Sequence, residues 1–376
     1  MNKHILKYFD FINEELKGLK LYFISLSNDI THITTSTGKN LNQQIDNYIL
    51  NNIWDEYDYI QHYKPEEVKV FVDSFVKGSV VYSFKPVGVY KTKDTPDRLK
   101  TKAFYEALQK RKDELHVFMN KSTTASKVES QKLFGKFEFF PKAVYKKEDI
   151  DDIGWPVVAK PDFGHSGVGI QKFDNEKELN KYLKENPKAK FDLFCEMIEF
   201  EREFRAIFVN NKVAYIAERV PKIEKNININ TKSASDAMQF VYVPQNIEEF
   251  KYIEEIEKIS EDVLSVVDLT VYSIDFFLTK KKKIKLIEVN AQTGLNPYAM
   301  ISLYRTLYSE VFKQDIPIEK DGLLIKLENI FLNDDYQTFK KEIESSLQPV
   351  NYKDIKIDKE LKKEIEEKFA DVKIKK

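Results

Sequence analysis

The 376-residue sequence predicts an α/β (α+β) fold with two or three domains. Hydrophobic residues make up 42% of the chain and aromatic residues 13%, which is enough apolar surface for more than one core. Up to about residue 120, short β-branched or aromatic runs alternate with amphipathic runs, the pattern of a small α/β domain. Beyond that point, pairs of apolar runs flank short polar turns, which is typical of antiparallel hairpins.

Charge and cysteine content exclude several classes of protein. The net charge is −1, with no basic field favouring nucleic acid and no acidic block favouring a cationic partner. The single cysteine, Cys195, excludes a disulfide framework and a cysteine-based metal cluster, and it fits a reducing compartment. The N-terminal run is not that of a signal peptide, and no window has the apolar length of a membrane span. We therefore expect a soluble, cytoplasmic protein.

The region before residue 120 is predicted to alternate between helix and strand, without a phosphate loop or a catalytic constellation. The clearest element is a helix over 97–120, where apolar residues such as Ala103 and Leu108 share one face. The predicted set is a helix over 1–17, a strand over 19–26, a helix over 41–53, one or two strands over 68–87 and the helix over 97–120.

Residues 120–150 change in composition, and we interpret them as the entry into another domain. They are rich in lysine and serine before they reach the apolar run that ends at Pro141. For each lysine taken alone, a solvated helix face is the favoured interpretation. The lysines are Lys121, Lys127, Lys132 and Lys136.

A glycine-rich loop follows a short buried strand over 157–159 that ends in Lys160. A second short strand is expected over 168–173. Glycines let backbone N–H groups approach phosphate oxygens closely, and a lysine at the strand end adds a positive charge. The alternative is an ordinary glycine-rich hairpin. The loop glycines are Gly164, Gly167 and Gly169.

Three familiar motifs are rejected for this loop. It leads into a strand-like run, whereas the dinucleotide fingerprint opens a helix, and it lacks the GK[ST] ending of a Walker A loop. The tripeptide at 162–164 spells the kinase DFG, but it lies two residues after the lysine and no HRD occurs. We interpret that tripeptide as a coincidence.

A helix over 176–187 and a strand over 192–198 lead into a hairpin that turns at Asn210-Asn211. Its strands cover 203–209 and 213–220. On the first strand, Glu203 and Arg205 point to the same face, because side chains alternate along a strand. Glu218 and Arg219 lie on the second strand. These charges either serve a site or form cross-strand pairs on a solvated sheet.

Residues 221–240 form a long polar loop without periodicity, which predicts a functional lid or a disordered insert. A helix over about 248–267 follows. The chain after Pro297 is predicted to form one more helix, and residues 320–376 form a charged helical appendage.

The hairpin formed by VYSIDFFL and IKLIEVN carries three oxygen-bearing side chains. Glu288 and Asn290 are two residues apart and share one strand face, and Asp275 is expected opposite Glu288. Carboxylate and carbonyl oxygens suit a hard cation such as Mg²⁺, with nucleotide phosphates completing its coordination. The alternative is a strand with an ordinary wet face. The basic tip over 280–283 is most simply a soluble turn.

Together, the strand-lysine-glycine loop, the acidic strand and the Asp plus Glu-x-Asn hairpin resemble the ATP-grasp superfamily over roughly residues 115–315. The carboxylate–amine ligases look most similar, a group that includes D-alanine–D-alanine ligase, glutathione synthetase and the ribosomal-protein glutamate ligase. The resemblance implies a nucleotide held between two α+β subdomains. It divides the chain into a pre-ATP-grasp α/β domain over 1–118, an N-terminal subdomain with the flap over 119–200, a C-terminal subdomain with the metal site over 201–318 and the appendage over 319–376.

The resemblance also assigns site residues. Lys160 and Lys127 match the nucleotide lysines, with Lys132 a rival to Lys127, and Glu203 matches the ribose-binding acid. Arg205 matches an arginine facing phosphate or acceptor. The flap over the phosphates includes Gly164, His165, Ser166 and Gly167; the hinge at the adenine edge is Glu196, Met197 and Ile198; and the metal ligands are Asp275, Glu288 and Asn290.

One position departs from the family. D-alanine-type ligases carry an arginine two residues before the metal-binding aspartate, and this chain has Ser273 there. Arg219 or Lys232 would have to supply the missing positive charge.

The implied activity is ATP-dependent ligation of a carboxylate to an amine through an acyl phosphate. The implied cofactors are ATP and two Mg²⁺ ions, with Mn²⁺ as an alternative cation. The implied partners are small-molecule or peptide substrates, and neither nucleic acid nor a membrane is expected. The resemblance also implies a homodimer. Alternatives are an ATP-grasp phosphotransferase with a hydroxyl acceptor and a nucleotide-binding protein without activity.

Overall fold

The computed structural model describes residues 20–24, 53–54, 57–60, 68–83, 96–122, 124–164, 168–221, 240–293, 297–316 and 325. These residues belong to two compact units. The first unit combines residues 1–87 and 92–119 with residues from 295 onward, and the second contains 88–91 and 120–294.

The first unit contains a parallel four-stranded sheet of order β2-β1-β3-β4. Along the chain, helix α1 lies between β2 and β3 and helix α2 lies between β3 and β4, which is the expected α/β pattern. Its core includes Tyr22, Val72, Phe104 and Leu108. The bounds are β1 Leu21–Ile24, β2 Tyr57–Ile60, α1 Val68–Asp73, β3 Val80–Ser83, α2 Pro96–Gln109 and β4 His116–Met119.

The prediction of strand for residues 68–73 is wrong, because these residues form helix α1. Val68 and Val72 are buried four residues apart, so the helix places one apolar face on the core. The alternation of apolar and polar residues in VKVFVD imitates a strand over this short stretch, which is too short for periodicity to decide.

The helix predicted over 97–120 is correct only in its first part. Helix α2 ends at Gln109, and residues 116–119 form strand β4, which pairs in parallel with β3. Phe118 and Met119 are buried there. The pairing overrides the local helical pattern, as tertiary context commonly does. The predicted helix over 1–17 lies outside the described residues, as does nearly all of the helix predicted over 41–53.

The second unit contains two antiparallel sheets. The smaller has the order β5-β8-β6-β7 and shares a core with a 3₁₀ helix (Lys147–Asp152) and helix α4. Helix α3 precedes this sheet. The bounds are α3 Lys127–Phe134, β5 Ala143–Val144, β6 Val157–Lys160, β7 Gln171–Phe173, α4 Glu176–Glu185 and β8 Leu193–Glu196.

The larger sheet has the order β11-β10-β9-β12-β13. One face packs on helix α5, whose buried residues Ile256, Ile259 and Val263 join Phe204 and Phe276 of the sheet in one core. Asn210 has a positive φ of 54° in the β9–β10 turn, as its tolerance of this conformation predicts. The bounds are β9 Phe200–Val209, β10 Lys212–Pro221, β11 Phe240–Pro244, α5 Ile253–Leu264, β12 Val271–Thr279 and β13 Ile284–Asn290.

The helix predicted after Pro297 is confirmed as α6, Pro297–Phe312, and it belongs to the first unit. Its Tyr308 ring meets Trp54 edge to face at 5.4 Å, and its Tyr304 meets Tyr82 at 6.3 Å. The domain boundaries from the family resemblance, in contrast, assign this helix to the 201–318 subdomain. No helix in the described part of the chain is long and apolar enough to cross a bilayer.

Candidate nucleotide and metal site

A β-bulge at Ile287 sets the direction of the candidate metal ligands. Asp275 pairs with Glu288, but the next residue of β12 pairs with Leu286, so Ile287 is an extra residue in β13. Ile284 and Leu286 are buried in the core before the bulge, and Val289 is buried after it. The bulge therefore shifts the alternation by one residue. Without that shift, Glu288 and Asn290 would share the core face of Leu286.

Asp275 lies in the middle of β12 and is held by Arg205 of the neighbouring strand β9. Arg205 Nε and Nη2 donate to the two carboxylate oxygens at 2.6 and 2.7 Å. Asp275 is 7% exposed, so this bidentate pair is largely shielded from water. The arginine predicted to face phosphate or acceptor thus lies directly beside a predicted metal ligand.

A second buried pair occupies the same face of the sheet. Arg219 of β10 donates from Nη1 to Glu203 Oε1 at 2.7 Å, and Glu203 is 8% exposed. These charges therefore form cross-strand pairs, and their role in a site stays a prediction. The pairs are buried, however, and do not lie on a solvated sheet. Arg202 and Glu218 form a further pair between the same strands.

Glu288 and Asn290 are in direct contact, since Asn290 Nδ2 donates to Glu288 Oε1 at 3.0 Å. Burial is the main cause of a raised pKa at the Glu288 carboxyl, and the Asp275 carboxylate raises that pKa further. The Asn290 hydrogen bond and the cations Arg205 and Lys127 oppose the rise. A cation between the two carboxylates would relieve their repulsion.

These groups form a donor set suited to a hard cation. Among the described residues, no three His, Cys, Asp or Glu side chains are grouped so that they could hold a metal ion. The candidate set instead has two carboxylates, Asp275 and Glu288, and the side-chain amide of Asn290. Mg²⁺ commonly takes one or two carboxylates and fills its other positions with phosphate oxygens and water. The residues therefore fit Mg²⁺ that arrives with a nucleotide.

Lys127 and Lys132 differ in their surroundings. Lys127 Nζ donates to the carbonyl of Gly164, at the base of the glycine-rich loop, at 3.0 Å. Burial lowers the pKa of the Lys127 ammonium; Glu288 opposes that shift, and Lys160 adds to it. Lys132 is exposed and pairs with Glu129 on its own helix. Of the two lysines, Lys127 is the one in electrostatic contact with Glu288 and Lys160.

Lys160 ends strand β6, as predicted, and its carbonyl accepts a hydrogen bond from the Asp192 N–H at 2.9 Å. Its ammonium also affects Cys195 on the paired strand β8. Burial raises the pKa of the Cys195 thiol, and Lys160 partly opposes that rise. Cys195 is a free, buried cysteine.

The predicted adenine hinge follows β8. Glu196 Oε1 accepts a hydrogen bond from the Lys142 N–H at 2.9 Å, and the Met197 N–H donates to the Pro156 carbonyl at 3.2 Å. These bonds tie the hinge to the neighbouring strands. Ile198 follows directly, before β9 begins at Phe200.

Some predicted site residues lie outside the described part of the chain. They are His165, Ser166 and Gly167 of the flap and the loop residues 222–239, which include Lys232. Gly164 and Gly169, on either side of the flap, have φ values of 141° and 77°, the region that glycine tolerates. Ser273 is fully buried on β12, opposite Asn290.

Asp162 has a structural role, although we interpret the DFG tripeptide to which it belongs as a coincidence. Its Oδ1 accepts hydrogen bonds from Ser126 Oγ at 2.6 Å and from the Val128 N–H at 2.9 Å, at the start of helix α3. Ser126 also caps this helix by accepting from the Glu129 N–H. The sequence signal was the capping pattern Ser-x-x-Glu, which marks a helix start directly beside Lys127.

Comparison with known proteins gives a consistent family. Residues 134–311 match the family model "D-ala D-ala ligase C-terminus". The D-alanine–D-alanine ligase of Geobacillus thermodenitrificans is 27% identical over 166 residues, 43% of this chain and 44% of that protein. The enzyme of the same name from Bacillus cytotoxicus is 26% identical over 213 residues, 51% of this chain and 57% of that protein. The chain thus spans about half the length of the curated relatives it matches.

The fold agrees with this match. N5-carboxyaminoimidazole synthetase from Staphylococcus aureus, complexed with ADP, superimposes with a TM-score of 0.50 over 80% of this chain and 79% of that one, at 10% identity. At this identity the likeness shows the fold alone, which is the α+β ATP-grasp fold. The match over residues 134–311 and the fold both support a similarity to the ATP-grasp carboxylate–amine ligases.

Proposed function

We propose that the chain is an ATP-dependent carboxylate–amine ligase that forms an amide or peptide bond and converts ATP to ADP and phosphate. The observation that carries the proposal is the set of oxygen donors on one face of the β12–β13 pair, with the Lys127 ammonium close enough to Glu288 to interact with it electrostatically. The family match over residues 134–311 supports the same activity.

In this proposal, the triphosphate is bound by lysines and backbone N–H groups. Lys127 and Lys160 neutralise phosphate charge, and the flap over 164–169 covers the phosphates with N–H donors. Glu196, Met197 and Ile198 contact adenine, and Glu203 contacts the ribose. Most of the rate enhancement then comes from fixed charges and positioning.

Asp275, Glu288 and Asn290 would hold Mg²⁺, and Mn²⁺ is a second cation to test. When bound, the metal stabilises charge on the transferring phosphoryl group. Asp275 is already paired with Arg205, so a cation must share this carboxylate with the guanidinium or displace it. In either case Arg205 lies next to the metal ligands, where it can contact the phosphoryl group or the acceptor carboxylate.

The reaction proceeds in two steps. A carboxylate oxygen of the first substrate attacks the γ-phosphorus, and the bond to the β,γ-bridging oxygen breaks to release ADP. The amine of the second substrate then attacks the acyl carbon and gives up a proton, and phosphate leaves with the electrons of the C–O bond. Arg205 and Arg219 would stabilise the negative charge that develops, because Ser273 carries no positive charge at the position where D-alanine-type ligases have an arginine. The flap and the 222–239 loop would exclude water from the acyl phosphate.

ADP release tests the activity. D-alanine is the first substrate to try, since both relatives described above are D-alanine–D-alanine ligases, followed by other amino acids and short peptides. The proposal expects ADP and phosphate only when a carboxylate and an amine are both present. ADP made with a polyol and no amine would indicate a phosphotransferase, and nucleotide binding without turnover on any acceptor would indicate a non-catalytic protein.

A further inference from the structure

The segment 120–127 connects the metal-ligand strands to the phosphate lysine, and it begins with a buried asparagine. Asn120 is 3% exposed. Its Oδ1 accepts hydrogen bonds from the Thr270 N–H at 2.7 Å and the Val271 N–H at 3.1 Å, where β12 begins. Its Nδ2 donates to the carbonyl of Val271 and to that of Ala291, the latter at 2.6 Å. One side chain therefore ties the start of β12 to the residue that follows β13.

Thr124, four residues later, binds the same residue from its other side. The Ala291 N–H donates to Thr124 Oγ1 at 3.0 Å. Both backbone polar groups of Ala291 are therefore held by side chains of this segment. Ala291 is 4% exposed and directly follows Asn290, so its position constrains the backbone that carries the candidate metal ligand.

The other end of the segment is attached to the base of the flap. The Lys127 N–H donates to the Asp162 carbonyl at 3.0 Å, and the Lys127 ammonium donates to the Gly164 carbonyl. Ser126 adds a hydrogen bond to the Asp162 carboxylate. Eight residues therefore connect the end of the metal-ligand strand to the lysine and loop assigned to the phosphates.

We infer that Asn120 and Thr124 are positioning residues that set where Asn290 stands relative to the phosphate-binding Lys127. The inference rests on the proposed function, because it needs a metal–nucleotide site between these groups. Neither side chain contacts the metal. Both act through the backbone of Ala291, in the way that outer hydrogen bonds orient metal ligands in general.

The test compares four single variants by titration calorimetry with ADP, with and without Mg²⁺. The quantity compared is the ratio of the two ADP affinities. Thr124→Val keeps the shape of the side chain but removes the acceptor for the Ala291 N–H, and the ratio is expected to fall about tenfold. Thr124→Ser keeps the hydroxyl and should stay within about twofold of the wild-type ratio.

Ser122→Ala is the matched structural control. Ser122 lies on the same segment, but its Oγ accepts a hydrogen bond from the Asp268 N–H at 3.1 Å. It therefore binds the loop before β12 and, within the described part of the chain, has no hydrogen bond to Ala291. This variant should lower the melting temperature without changing the Mg²⁺ effect on ADP binding. Asn120→Asp is a second, independent probe, because its carboxylate still accepts from the Thr270 and Val271 N–H groups but cannot donate to the carbonyls of Val271 and Ala291. Its ratio should fall as in Thr124→Val.

The outcomes separate the inference from the function it rests on. If Mg²⁺ does not strengthen ADP binding to the wild-type chain, the proposed metal–nucleotide site is wrong. If it does, and Thr124→Val and Asn120→Asp behave like Ser122→Ala, then Asn120 and Thr124 have only a structural role and the positioning inference is overturned.

Discussion

At the scale of single residues, the site is defined by two neighbouring carboxylates, only one of which is paired with a guanidinium. Asp275 and Glu288 are cross-strand neighbours, and Arg205 binds both oxygens of Asp275. Burial of the Glu288 carboxyl, and then the neighbouring Asp275 carboxylate, raise the pKa of Glu288. Arg205 and Lys127 only partly oppose that rise. Buried negative charge that is incompletely compensated favours the binding of a cation.

Replacing Glu288 with Gln tests its role as a ligand. Gln keeps the shape of Glu and removes a buried charge, so we expect turnover to be lost while the free energy of unfolding changes by less than about 1 kcal/mol. Glu201→Gln, at an exposed residue paired with Lys282 at the hairpin tip, is the control for a lost carboxylate. Full activity of Glu288→Gln would show that the metal assignment is wrong.

Arg205→Met tests whether the Asp275 pair is needed for folding. Removing one partner of a buried ion pair leaves an uncompensated charge, so urea denaturation should reveal a loss of roughly 3 kcal/mol or more. Lys280→Met removes the exposed partner of Glu199 and should cost nothing measurable. Equal stabilities of the two variants would contradict a structural contribution from the Arg205–Asp275 pair.

Cys195 gives a prediction for pH. Burial raises its thiol pKa above the ordinary value of 9.0, so at higher pH the unfolded state loses this proton before the folded state does. Stability from the protonated thiol is therefore complete below that value and declines as pH rises above it. The wild-type free energy of unfolding should fall more steeply between pH 8 and 10 than that of Cys195→Ala, because only the wild type carries this thiol. Parallel curves for the two proteins would refute the raised pKa.

At the scale of elements, the hairpins were predictable and the bulge was not. The pairing of Asp275 with Glu288 follows from two apolar runs around a lysine-rich tip. A strict two-residue period over β13, however, would put Glu288 on the face of Leu286, in the core. The extra residue at Ile287 resolves that conflict, and nothing in a single sequence marks it, since Ile suits a regular strand equally well.

The same limit explains the errors in the first unit. Residues 68–73 and 116–119 are short, and their state depends on partners far away in the sequence, such as β3 for β4. For the site, residue types were enough to propose the oxygen ligands and the lysines. The arginine partners of Asp275 and Glu203, and the hydrogen bonds of Asn120, depend on strand register and could not be derived from spacing.

Deleting Ile287 tests the bulge. The shortened strand would alternate regularly, with Leu286 and Val289 in the core and Glu288 still on the opposite face, so the protein should fold. The bulge also increases local twist and directs side chains. Without it, we expect the Mg²⁺-dependent part of ADP affinity to fall by about tenfold or more. A folded deletion variant with wild-type Mg²⁺ dependence would show that the bulge does not direct Glu288.

At the scale of the whole molecule, two separate observations meet in the second unit. It contains residues 134–293 of the segment that matches the D-ala D-ala ligase C-terminus family. It also contains every described residue assigned to metal and nucleotide. The first unit adds a parallel sheet and helix α6, and the family match ends within that helix, at residue 311. The substrates therefore have to be found by experiment.

The most direct test of the ligase proposal follows oxygen from the carboxylate to phosphate. The chain is incubated with ATP, Mg²⁺ and D-alanine or other amino acids whose carboxyl groups carry ¹⁸O, and the released phosphate is analysed by mass spectrometry. An acyl-phosphate route predicts one ¹⁸O atom in each phosphate formed with product, and none from Glu288→Gln, which should release no phosphate. Phosphate that forms with product but contains only unlabelled oxygen would contradict the proposal.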